Sequence, residues 1–187
     1  QKETYGNPSS IHREGQAAKA VMEKSRHQIA NAINAQPDEI IFTSSGSESN
    51  NMVLKGVLRS GDHFITSSYE HPAILKVLPY LESQNIDITL IKPDHNGMIQ
   101  PADIEKNINE NTRLISIMWV NNELGTTNPI PEIVSIAKEK NILFHSDAVQ
   151  ALGKIEINTE ETPVDYLSMS AHKLYGPKGV GALYKRG

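Results

Sequence analysis

The 187-residue chain contains no cysteine, few aromatic residues (5%) and no apolar run that approaches membrane-spanning length. Without cysteine there is no disulfide, no thiolate metal site and no chemistry by a cysteine of this chain. Neither sign of charge dominates. The 18 Lys and Arg residues are scattered and outnumbered by 22 Asp and Glu, for a net charge of -4, which speaks against a nucleic-acid surface. No charged-then-apolar leader opens the chain, so a cytoplasmic location is the default. Repeats, low-complexity tracts and linker-like stretches are also missing. What is present, 38% hydrophobic and 21% charged residues, suits one globular domain with a sizeable core. The first residue is Gln1 rather than methionine, and Gly187 directly follows an apolar run and two cations, so both ends read as cut.

Behind Gly6-Asn7-Pro8-Ser9-Ser10, the apolar positions Ile11, Ala18, Val21, Met22, Ile29 and Ile33 recur at helical spacing, with a serine placed to cap them. Residues 39–43 then read as a short buried strand. The polar run 44–51 turns the chain into a helix carrying Met52, Val53, Val57 and Leu58. Further strands are expected at 63–66, 86–91, 113–118, 142–145, 164–169 and 180–184. Helices are expected at about 72–83, from Pro101, and at 131–140. A short Gly-Pro turn leads into the last strand, which can therefore run antiparallel to its neighbours. Near-continuous apolar strands separated by helices predict an α/β fold, a three-layer α/β/α arrangement around a mostly parallel sheet of about seven strands. In such sheets ligands sit beyond the carboxyl ends of the strands.

Those ends carry polar groups where bland loop residues would suffice. Ser45-Gly46-Ser47 opens a helix and offers free N–H groups, a positive helix end and a hydroxyl, which together suit an anion. His71 precedes Pro72, so its backbone is extended, and its imidazole can cover a planar ligand, shuttle protons or simply cap a helix. Asp147 lies just past a buried strand, where a carboxylate needs a cation or a donor. Asn122 and Gln150 can donate to a ring oxygen or a substrate carboxylate. Ser170 and His172 flank Lys173 and can complete the anion site. Lys173 itself, if held, partly desolvated and near other cations, is a candidate nucleophile for a carbonyl. Pyridoxal phosphate satisfies the whole set: a lysine for its aldehyde, an acid for its ring nitrogen, a donor for its ring oxygen, a face to stack on and a phosphate cradle. A zinc or iron site built from His71, His145, Asp147 and His172 is the rival. It requires the strand to continue through His145 and Asp147, and it leaves Lys173 unused.

The same residues resemble a known family nearly end to end. Gly6-Asn7-Pro8-Ser9-Ser10, Phe42-Thr43-Ser44, Glu48-Ser49-Asn50-Asn51, Glu70-His71-Pro72-Ala73, Val120-Asn121-Asn122-Glu123-Leu124-Gly125, His145-Ser146-Asp147-Ala148-Val149-Gln150 and Ser170-Ala171-His172-Lys173-Leu174-Tyr175-Gly176-Pro177-Lys178-Gly179 are similar to the cysteine desulfurases of the NifS and IscS type, in the class V aminotransferase group with the fold-type-I architecture of pyridoxal-phosphate transferases. The resemblance implies that Lys173 anchors the cofactor covalently and moves the substrate's α proton, with His71 stacked on the ring and sharing in proton transfer. It pairs Asp147 with the ring nitrogen and Gln150 with the ring oxygen, and places Asn122 near that oxygen and the substrate carboxylate. Gly46, Ser47, Ser170 and His172 hold the phosphate; Ser47 stands where the family usually has threonine, and the hydroxyl survives. It further implies L-cysteine as substrate, L-alanine as product, a sulfur-acceptor protein serving iron-sulfur cluster or thio-cofactor assembly, and a homodimer. The family's sulfur-carrying cysteine and carboxylate-clamping arginine belong to a C-terminal small domain that this chain lacks. Residues 1–187 are thus expected to be the cofactor-binding large domain, inactive as a desulfurase by itself. A selenocysteine lyase, another class V member and a non-catalytic cofactor-binding or metal-binding fragment are the alternatives.

Overall fold

A computed structural model describes residues 4–187. Its strands are β1 (Ile40–Thr43), β2 (His63–Ser67), β3 (Asp87–Ile91), β4 (Thr112–Ser116), β5 (Leu143–Asp147), β6 (Tyr166–Ser170) and β7 (Gly181–Lys185). Its α-helices are α1 (Arg13–Ala32), α2 (Gly46–Val57), α3 (Pro72–Leu75), α4 (Leu78–Ser83), α5 (Pro101–Asn107) and α6 (Ile130–Glu139). All seven strands form one sheet in the order β1-β7-β6-β5-β4-β2-β3. Strand β7 is antiparallel to both β1 and β6, and the other pairings are parallel.

Consecutive strand residues serve opposite faces, as the period of two requires. Phe64, Leu114 and Leu183 pack with Val53 and Leu54 of α2, Ile74 of α3 and Leu81 of α4. Ile65, Ile115 and Tyr184 pack with Ile104 of α5, with Ile133 and Val134 of α6, and with Ala30 of α1. Both faces are therefore covered, which is why the strands read as apolar runs. Helix α2 leaves β1 at one edge and crosses β7 and β6 towards β5, so it begins over the middle of the sheet's carboxyl edge. Glycine permits that approach. A Cβ on Gly181 of β7 would lie 2.6 Å from the Ser45 carbonyl carbon, just before α2 begins.

Several boundaries differ from expectation. Helix α1 forms, but His12 rather than a serine caps it, its Nδ1 accepting from the Gly15 N–H at 3.2 Å. Ile11 is 95% exposed and Val21 52%, because only the carboxyl-terminal end of the helix, through Ala30 and the following Ile33, reaches the core. The helix expected at 72–83 is broken into α3 and α4, since Pro79 has no N–H to offer the Leu75 carbonyl. Val77 bonds instead to the Ile74 carbonyl at 2.9 Å. Strand β4 stops at Ser116, although the N–H groups of Ile117 and Trp119 still reach the carbonyls of His145 and Asp147. Strand β5 runs on to Asp147. Among the described residues no helix is long and apolar enough to cross a membrane.

Candidate cofactor-binding pocket

The turn after β1 builds one wall. The Ser44 N–H and hydroxyl both donate to the Glu48 carboxylate, at 2.6 and 2.7 Å. In return Ser45, in extended backbone, accepts from the Glu48 N–H at 3.2 Å. This reciprocal cap starts α2 abruptly at Gly46, and the Ser44 donors hold the Glu48 carboxyl below its ordinary value. Gly46 and Ser47 line the pocket, and their N–H groups meet no acceptor among the described residues. A Cβ on Gly46 would fall 2.6 Å from Val149 Cγ2, so only glycine lets α2 seat this close to the chain leaving β5. Unpaired N–H groups at the positive end of a 12-residue helix favour an anion.

The floor comes from β5, which carries His145 and Asp147 on the face that α2 covers. Asp147 is 5% exposed; its Oδ2 accepts from Asn50 Nδ2 at 2.8 Å and its Oδ1 from the Val149 N–H at 3.0 Å. Burial pushes this carboxyl above its ordinary value, while the Asn50 and Val149 bonds pull it back. A cation brought against it would stabilise the charged form. Behind it His145 lies with Nδ1 2.8 Å from Ser116 Oγ and Nε2 3.0 Å from Ser168 Oγ, and burial holds its pKa at about 3. The strand does continue through both residues, as the metal reading requires, yet both His145 nitrogens are engaged by serines. Among the described residues, no three His, Asp or Glu side chains are grouped to hold a metal ion.

The remaining residues close around this floor. His71 caps α3, its Nδ1 accepting from the Ala73 N–H at 3.0 Å, which leaves the neutral ring's proton on Nε2. Half-buried Asn122 donates to Glu123 Oε1 at 2.7 Å, and half-buried Gln150 accepts from Lys154 Nζ at 2.7 Å. At the end of β6, Ser170 Oγ lies 2.8 Å from His172 Nδ1. Lys173 sits in the 3-10 turn Ala171–Leu174, which ends at Tyr175 in left-handed backbone with φ 60°. Its side chain is exposed rather than desolvated as expected, because no residue of that turn is buried.

Gly46, Ser47, His71, Asn122, Asp147, Gln150, Ser170, His172 and Lys173 all line one pocket of about 300 Å³. Asn50, absent from the residues expected at the site, also lines it and orients Asp147; its position one turn after Gly46, on the same helix face, is the signal the sequence offers. Ser45, Met118, Glu123 and Val149 complete the lining. The buried oxygen Asn50 Oδ1 has no partner among the described residues. The donor set suits a ligand with an anionic end, a protonated ring nitrogen and a carbonyl within reach of an amine.

Residues 1–187 match the profile of the family described as "Aminotransferase class-V". The chain is 52% identical over 189 residues to "Cysteine desulfurase IscS" of Dictyoglomus turgidum, an alignment covering 99% of this chain and 48% of that protein. The solved structure "SspA in complex with cysteine" superposes with a TM-score of 0.95 at 42% identity, over 100% of this chain and 55% of that one. A second, "NifS-like protein", gives a TM-score of 0.94 at 42% identity, over 99% and 52% respectively. The chain thus spans about half the length of the curated relatives it matches.

Proposed function

We propose, because the chain belongs to the class-V aminotransferase family, that residues 1–187 are the cofactor-binding large domain of a pyridoxal-phosphate-dependent cysteine desulfurase. The observation that carries this reading is the meeting of an amine (Lys173), a buried carboxylate (Asp147) and an open helix start (Gly46 and Ser47) in one pocket. The likeness to "Cysteine desulfurase IscS" and to a structure named with cysteine supports the substrate assignment.

Pyridoxal phosphate, when bound, supplies an electron sink for reactions at an amino acid's α carbon. The protein's part is to position groups around it. Gly46, Ser47, Ser170 and His172 would bind the phosphate through backbone N–H groups, hydroxyls and imidazole. Asp147, held by Asn50 and Val149, would favour a proton on the ring nitrogen. Gln150 would donate to the ring oxygen, and Asn122 would lie near that oxygen and the substrate carboxylate. His71 would cover the ring face, with the proton on its Nε2 available for transfer. Lys173 would hold the aldehyde and then carry the α proton on Nζ.

In this reading the full-length protein is a cytoplasmic homodimer that converts L-cysteine to L-alanine and passes sulfur, by way of a cysteine outside these 187 residues, to an acceptor for iron-sulfur cluster or thio-cofactor assembly. The full-length protein loaded with pyridoxal phosphate should release alanine from L-cysteine and retain protein-bound sulfur. The 187-residue chain, having no cysteine, should release neither alanine nor sulfide. Alanine release by the short chain, or none by the full-length protein, would overturn this assignment.

A further inference from the structure

Directly before His71 lies Glu70, a side chain for which the proposed chemistry has no use. It is 3% exposed. Its Oε1 accepts from Ser67 Oγ at 2.6 Å and from the Met118 N–H at 2.9 Å, so it joins the end of β2 to the chain leaving β4. Its Oε2 is fully buried and meets no donor among the described residues. No Lys, Arg or His among the described residues lies within ion-pair distance of it.

We propose that Glu70 is a proton-bearing, neutral carboxyl group that fixes the turn carrying His71 and leaves Asp147 as the single carboxylate charge beneath the pocket. An ionised carboxylate at Glu70 would lose its hydration with donors on one oxygen only, and with no cation in compensation. The ionisable groups facing it are Asp147 of β5, whose negative charge raises it further, and the Tyr69 phenol of its own turn, which gives it no positive charge. Asn50, Ser67 and Met118 are neutral. Two neighbouring buried carboxyls do not both ionise readily, and geometry decides which keeps the proton. Asp147 has a donor on each oxygen, whereas Glu70 has a bare one. Burial accordingly pushes Glu70 up to about 8, against the Ser67 and Met118 donors that lower it. Glu70 then acts as a positioning residue. Its protonation does not depend on what fills the pocket, whereas its benefit to a cationic ring rests on the proposed function.

Glu70→Gln keeps the neutral shape and removes the proton, so urea unfolding of the 187-residue chain from pH 5 to 9 tests the claim. In the parent chain the folded state holds a proton that the unfolded state releases, so rising pH destabilises the parent and not the variant. The folding constant of the variant relative to the parent should rise about tenfold per pH unit between about pH 5 and 8, then level off. A ratio independent of pH would overturn the proposal. Should the variant fold too poorly to measure, the infrared spectrum of the parent at pH 6 should show a protonated carboxyl band that disappears above pH 8, and its absence would overturn the proposal equally. With pyridoxal phosphate at pH 7, E70Q should bind within about twofold of the parent and E70A at least tenfold more weakly, because alanine leaves Ser67 and Met118 without an acceptor. A loss in E70Q as large as in E70A would contradict a neutral carboxyl. If none of the three binds the cofactor, the pocket assignment fails while the unfolding series still decides the state of Glu70.

Discussion

His145 and Glu70 bend the pH response of stability in opposite directions. An unfolded histidine titrates near about pH 6.5, whereas burial holds His145 at about 3. Its contribution is therefore present above about pH 6.5 and lost as pH falls towards 3, because the unfolded chain takes up the proton first. For Glu70, raised from 4.5 to about 8, the contribution is full below the unfolded value and lost as pH rises through 8. From pH 6.5 down to 4.5 the two offset each other. Replacing His145 with glutamine should flatten the acid side: between about pH 6 and 4, the parent's folding constant relative to H145Q should drop about tenfold per unit. Parallel urea-unfolding profiles would show that His145 titrates alike in both states. Of the pocket residues, Asp147, His71 and Lys173 are legible because Asp147 ends a strand and the other two follow within four residues of one, where a polar residue has no packing reason to be. Asn50 is not, since its partner Asp147 is 97 positions away and nothing local marks the pair. Glu70 is equally silent: of its two donors Ser67 is local, but Met118 is 48 positions distant.

Where elements begin and end depended on neighbours that periodicity does not report. Strand β5 outlasts its apolar run because the Asp147 carbonyl still accepts from Trp119 N–H and the Asp147 side chain from Asn50. Helix α1 was legible as a helix but not as a mostly exposed one, since apolar spacing reveals a face without saying what covers it. The turn into α2 is legible in the sequence because Ser44, Ser45 and Glu48 form a local cap. What the local signal omits is Val149, on the chain leaving β5, pressing on that turn. Gly46→Ala should therefore lower stability by about 1–3 kcal/mol and weaken pyridoxal phosphate binding, because the new Cβ must displace Val149 Cγ2 or the helix start. Adding Val149→Ala should recover most of both losses, as measured by unfolding and cofactor titration. A double variant no better than G46A would mean the contact does not govern the helix start.

Strand-helix alternation was enough to foresee a covered, mostly parallel sheet, and the Gly-Pro return was enough to foresee its antiparallel member. The order of the strands was not legible. Ile40 of the first strand pairs with Tyr184 of the last, and no local pattern announces a contact across the whole chain. That order matters for the pocket, because placing β1 beside β7 sends α2 back across β6 to β5. The helix start, Asp147 and Lys173 then share one space of about 300 Å³. On the proposed function, this space holds pyridoxal phosphate on Lys173. Borohydride reduction of the cofactor-loaded chain, followed by peptide mass analysis, tests it most directly. The cofactor's mass should be fixed on the Lys173 peptide and lost in K173A; a label on any other lysine, or an equal label in K173A, would refute the assignment.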